Sequence, residues 1–203
     1  MIVDAINDQI EKLPQRDTPY RRLLDIMEER TVDSGNHIFI TTNWDYLLER
    51  DVDAWVEAHH PGRAPRFLRN SQVVYHFNGT TERELKHGSS FLLETDIAGT
   101  RKATFEASEA FARLLWSQLI VVVGMSFECQ SDRGLLGALR EHEDKTPIGS
   151  ALFILVEPCG EALEATCEKL AASFPRAYGL RVHSGFAEWL NSGMKELAGR
   201  IFR

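Results

Sequence analysis

The chain alternates between two hydrophobic rhythms. Apolar residues every three or four positions read as amphipathic helices, and short continuous apolar runs read as buried strands. IVDAINDQIEKL and YRRLLDIMEER show the first rhythm, with Pro14 and Pro19 between them. HIFITT predicts a strand, and NWDYLLERDVDAWVEAHH predicts a helix that Pro61 and Gly62 stop. SQVVYHF is a second strand, while SSFLLET is a short apolar segment open to either a strand or a loop reading. KATFEASEAFARLLWSQ has helical spacing and leads into LIVVVG, a continuous run of the kind buried in parallel sheets. DRGLLGALREHED, EALEATCEKLAASF and GFAEWLNSGMKELAGRIF predict helices, interleaved with strands at ALFILVE and GLRVH.

This alternation predicts an α/β fold, a doubly wound and mostly parallel sheet of Rossmann-like type. Residues 1–36 read as an N-terminal helical segment and residues 37–203 as the sheet domain. No internal repeat, low-complexity stretch or linker composition interrupts the pattern. At 203 residues with 43% hydrophobic content, the chain is long enough for one sizeable core.

Charge narrows the list of partners. A net charge of −7 argues against a broad electrostatic grip on nucleic acid, although RAPRFLRN gathers three arginines around Phe67. A solvated loop is the simpler reading of that stretch. The N-terminus, MIVDAINDQIEKL, carries acids where a signal peptide needs a basic start, and no segment has the length of a membrane span. The expectation is a cytoplasmic protein with no membrane partner. Cys129, Cys159 and Cys167 lack metal-ligand spacing and read as reduced thiols. His59 and His60, at a predicted helix end, read as compensation of the helix dipole. Trp55, Trp116 and Trp189 sit among apolar residues at helical spacing, so core or interface packing accounts for them.

Ligands of open α/β sheets bind beyond the C-terminal strand ends, beside helix N-termini. Four such ends are legible: Thr41-Thr42-Asn43-Trp44-Asp45 after the first strand, His76-Phe77-Asn78-Gly79 after the second, Gly124-Met125-Ser126 after the third and Glu157-Pro158 after the fourth. In this order, IFITTNWDYLLE, VVYHFNGT, WSQLIVVVGMSFECQSDRGLL and FILVEP resemble the sirtuin-like domain family of bacterial NAD-handling proteins. The resemblance spans roughly residues 20 to 200, and the order of four motifs is more specific than any one of them.

The resemblance implies a site for NAD that uses no metal. Members cleave the nicotinamide–ribose bond through a transition state with oxocarbenium character, which the site must stabilise while holding a nucleophile. Asn43 would then contact the ribose or orient water, and Asp45 would fix that amide or accept from a hydroxyl. Thr41, Thr42 and Gly79 would line the same strand ends. Gly124 would let backbone approach a phosphate or ribose, with Ser126 bonding it. Asp132 matches the family's acid at the next helix start, and Glu157 would accept from ribose hydroxyls. Each has a plainer reading. Asn43 and Asp132 are good cap residues, Asp45 suits a first helical turn, Gly124 suits a tight turn, and Pro158 marks a surface turn beside Glu157.

Two departures shape the functional expectation. Active members carry histidine immediately before the glycine of the second motif, where this chain has Asn78, a carboxamide that hydrogen-bonds but takes no proton near neutral pH. His76, two residues earlier on the same strand face, is the candidate replacement. Members also begin with a strand and a glycine-rich turn that wraps the pyrophosphate, and no such sequence precedes Ile38. Three explanations are open: the chain is a fragment, a homo-oligomer or partner subunit completes the sheet, or the sheet closes directly and the nucleotide site is vestigial. The expected partners are such a subunit and NAD or an ADP-ribose-like nucleotide. The expected function is that of a sirtuin-like NAD-site protein related to NAD glycohydrolases. Its alternative is a non-catalytic nucleotide-sensing or assembly subunit of a defence complex. A protein deacylase ranks third, because the four-cysteine zinc module of classical sirtuins is missing.

Overall fold

Every strand that the apolar runs predict around positions 40, 75, 121, 154 and 180 forms, and all of them pair in parallel. The computed structural model describes residues 12, 18–30, 37–41, 46–63, 65, 68, 74–76, 109–192 and 194. The predicted helix at 2–13, the segment SSFLLET and the last residues of the closing helix lie outside these, Lys12 and Met194 apart. The chain divides into two units, Met1–Leu93 and Glu94–Arg203.

In the first unit, helix α1 (Pro19–Arg30) precedes strand β1 (Phe39–Thr41), helix α2 (Leu47–His59) and strand β2 (Val74–His76). β1 and β2 form a two-stranded parallel ladder. Leu24, Leu48, Val52, Trp55, Leu68 and Val74 make its buried cluster, with Tyr20, Met27, Phe39 and Val56 packed against them. The apolar stripes of α1 and α2 supply most of this cluster, which is why the two helices pair. Their polar rim is also joined. Trp55 Nε1 donates to Asp25 Oδ1 at 2.8 Å, and His60 Nε2 lies 2.5 Å from Glu28 Oε1. His59 stacks on Trp55 and donates Nδ1–H to the Trp55 carbonyl, in keeping with its place at a helix C-terminus.

The second unit runs α3 (Glu109–Leu115), β3 (Leu119–Val123), α4 (Gln130–Arg140), a 3₁₀ turn (Pro147–Ser150), β4 (Leu152–Val156), α5 (Gly160–Ser173), β5 (Tyr178–Val182) and α6 (Phe186–Asn191). The three strands lie in the order β3-β4-β5. Each parallel step needs a crossover, which α4 and α5 provide. Phe174, just past α5, stacks on Phe153 at 5.6 Å, and Arg181 of β5 donates Nε–H to Cys167 Sγ of α5 at 3.1 Å. These contacts place α5 over the sheet face that carries Phe153, Leu155 and Arg181.

The structure departs from the sequence pattern in three places. LIVVVG reads as buried throughout, yet Leu119, Val121 and Val123 are exposed and Val122 is buried. β3 is an edge strand of the described sheet: Val122 lies on the face that α5 covers, and Leu119, Val121 and Val123 lie on the opposite face, which is closed further in at Val156 and Val182. Trp116 is exposed at 68% and belongs to no core, whereas Trp55 and Trp189 are buried at 2% each. The closing helix stops at Asn191, where the N–H of Met194 reaches back to the carbonyl of Trp189. That six-to-one bond is a helix-terminating closure, and it interrupts the predicted helix at this point.

Candidate functional site

Parallel pairing brings strand ends together. In the first unit Thr41 and His76 are the last residues of β1 and β2 and are register partners. Thr41 is half-buried. Thr42, Asn43 and Asp45 follow β1, and Asn78 and Gly79 follow β2, all five outside the described residues.

The second unit gives its strand ends in more detail. Gly124 directly follows β3 and extends the ladder by one bond, its N–H donating to the Val156 carbonyl at 3.2 Å. Its φ of +60° lies in the left-handed region, and a Cβ built there meets nothing within 4 Å among the described residues. The position therefore needs glycine for backbone reasons and leaves open space for another molecule to approach. Two residues on, Ser126 is half-buried and its carbonyl accepts from Lys169 Nζ at 2.8 Å. Lys169 Nζ also lies 3.4 Å from Glu128 Oε1. The Met125 carbonyl accepts from the buried Thr166 hydroxyl at 3.3 Å. Between these anchored residues Phe127 is buried with a φ of +53°.

Asp132 stands in the first turn of α4 and is buried at 9%. Its N–H donates to Cys129 Sγ at 3.4 Å, so the side chain capping α4 is a thiol. Glu157 follows β4, and its Oε1 accepts from the Cys159 N–H at 3.0 Å. The carboxylate thus closes the turn that leads into α5. His183 follows β5 and donates Nε2–H to the Pro158 carbonyl at 2.9 Å, which leaves its Nδ1 as the acceptor when the ring is neutral.

Gly124, Ser126, Asp132 and Glu157 therefore all belong to the C-terminal side of one parallel sheet or the helix starts beyond it. Thr166, Lys169 and His183 were not singled out from sequence, and Cys129 was read there only as a reduced thiol. The one local signal for Thr166 and Lys169 is their spacing of three on α5, which puts them on adjoining parts of one face. Cys129, Cys159 and Cys167 are free thiols. Burial pushes the Cys167 thiol up from its ordinary value of 9.0, with the neighbouring Arg181 opposing the shift. Among the described residues, no group of three or more His, Cys, Asp or Glu side chains is placed to hold a metal ion, and no helix is long and apolar enough to cross a membrane.

Comparison of the chain with protein-family models, curated proteins and solved structures gave no match.

Proposed function

We propose that this chain is a sirtuin-like NAD-site protein, with a Rossmann-like nucleotide fold, that recognises NAD or ADP-ribose at its strand ends. The observation that carries the reading is the β3–α4 junction. A left-handed glycine with open space beside it is followed by an anchored loop bearing Ser126 and by the buried first-turn Asp132. A phosphate or ribose needs this type of surface, where backbone is approachable and a helix begins. In this proposal Gly124 and Ser126 receive the nucleotide, and the roles of Asn43, Asp45 and His76 are those that the sequence resemblance implies.

The order of strand-end motifs favours an NAD ligand over other nucleotides. Cleavage of the nicotinamide–ribose bond is the related chemistry. It asks for a general base where this sequence carries Asn78. That asparagine favours a second reading, in which the chain senses nucleotide, or assembles with a partner, without turning it over.

Calorimetric titration of the full chain with NAD and with ADP-ribose tests the recognition step, and chromatography for nicotinamide after prolonged incubation tests turnover. Binding that weakens about ten-fold in Ser126→Ala, the loss of one good hydrogen bond, supports the site. Nicotinamide release that vanishes in His76→Ala supports an active enzyme. Binding without release supports the sensor. Failure of the folded chain to bind either nucleotide refutes the proposal.

A further inference from the structure

The β3–α4 loop is held from outside its own sequence. Lys169 and Thr166, on α5, take the carbonyls of Ser126 and Met125, and the same ammonium reaches Glu128. A trans peptide is planar, so each carbonyl points opposite to the N–H of the following residue. Tying the Met125 and Ser126 carbonyls to α5 therefore turns the N–H groups of Ser126 and Phe127 away from it. Neither N–H has an acceptor among the described residues.

Phe127 adds a second sign that this shape is enforced. A bulky residue with positive φ is disfavoured on its own and persists only where its surroundings over-determine it. Here the ring is buried, and Lys169 holds the residues on both sides. The loop adopts a conformation its sequence does not prefer, and the device that keeps it there lies 43 residues along the chain from Ser126.

We infer that Lys169 is a positioning residue of the nucleotide site: without touching the ligand, its ammonium keeps the 125–128 loop shaped so that consecutive backbone N–H groups face an anionic or hydroxyl-rich part of the nucleotide. The inference rests on the reading that this loop receives a nucleotide. Thr166 assists through the preceding carbonyl. Arginine at position 169 keeps the positive charge and N–H donors, in a planar fork rather than a compact ammonium, so it retains most of the clamp, whereas alanine removes it.

The test compares the full wild-type chain with Lys169→Ala and Lys169→Arg, by calorimetric titration with ADP-ribose and by amide hydrogen exchange across 124–132. In Lys169→Ala, ADP-ribose binding falls about ten-fold, the equivalent of one charge-assisted hydrogen bond. Exchange at Gly124 and Asp132, the bonded amides on either side of the loop, accelerates while that of β4 and α5 is unchanged. Lys169→Arg stays close to wild type in both. Unchanged binding and exchange in Lys169→Ala overturns the inference, as does an equal loss in both variants, which would mean direct ligand contact or general unfolding. If the wild-type chain binds no ADP-ribose, the nucleotide reading fails separately and exchange alone decides the clamp. Local acceleration in the alanine variant then upholds it, and no change rejects it.

Discussion

Two glycine-to-alanine substitutions in the second unit should move stability in opposite directions. Gly149 is buried in the 3₁₀ turn before β4, between the buried Ile148 and the turn's end. A Cβ there would lie 2.1 Å from the carbonyl oxygen of Glu143, 2.8 Å from its carbon and 3.2 Å from its Cα. All three atoms are backbone, so no flexible side chain can swing aside. The Glu143 carbonyl also accepts from Arg176 Nη2 at 3.0 Å, so displacing it disturbs a second contact. Overpacking of this kind costs about 1–3 kcal/mol, and a backbone obstacle places Gly149→Ala near the upper end. The reduced freedom of the unfolded chain offsets about 0.4–1 kcal/mol, leaving a net loss of about 2 kcal/mol.

Gly137 is the matched control. It lies inside α4, is exposed, and a Cβ there meets nothing within 4 Å among the described residues. Alanine at this position should stabilise by about 0.5–1 kcal/mol through helix propensity alone. Urea unfolding followed by circular dichroism measures both, with the midpoint falling for Gly149→Ala and rising for Gly137→Ala. A Gly149→Ala midpoint at or above wild type would refute the steric argument, because the same substitution chemistry would then ignore a 2.1 Å obstruction.

Removing the ring in Phe174→Ala unstacks Phe153 and leaves a cavity at a site that is 1% exposed, so unfolding free energy should fall by about 3–5 kcal/mol in the same assay. Thiol labelling of the native chain should proceed first at the exposed Cys159, and Cys167 should stay unlabelled until denaturant is added, because it is buried and its thiol is pushed up from 9.0. Mass spectrometry of labelled peptides assigns the order, and early labelling of Cys167 would contradict its buried environment. Burial lowers His37 from its ordinary value of 6.5, so the unfolded chain binds the proton more readily than the folded one. Stability from this residue is present above about pH 6.5 and is lost as pH falls from there through the lowered folded value. Unfolding titrations of wild type and His37→Gln across that window should show a shallower pH dependence in the variant, and identical slopes would rule His37 out as the source.

The strands and crossover helices of the second unit were legible because their signals are local. LFILV is apolar, YGLRV is short and mostly apolar around Arg181, and α5 forms within a residue of the spacing that predicts it. Strand ends could likewise be marked in advance, since a glycine such as Gly124 after an apolar run announces a turn. The 3₁₀ turn at Pro147–Ser150 was missed, as it depends on the close approach of Gly149 to Glu143. The exposure of Trp116 and of one side of β3 was also invisible, because composition does not say which face of a strand finds a cover.

Periodicity and turn chemistry by themselves determined that the chain builds parallel α/β units, where their strands end, and which polar residues stand at those ends. Only the tertiary structure decided how those residues are held. Glu157 turns its carboxylate to a neighbouring amide, Cys129 caps α4, and Lys169 reaches across to Ser126 from a different crossover helix. The physical reason is range: hydrophobic period acts over a few residues, whereas the partner of a carbonyl is chosen by whatever packing brings within 3 Å.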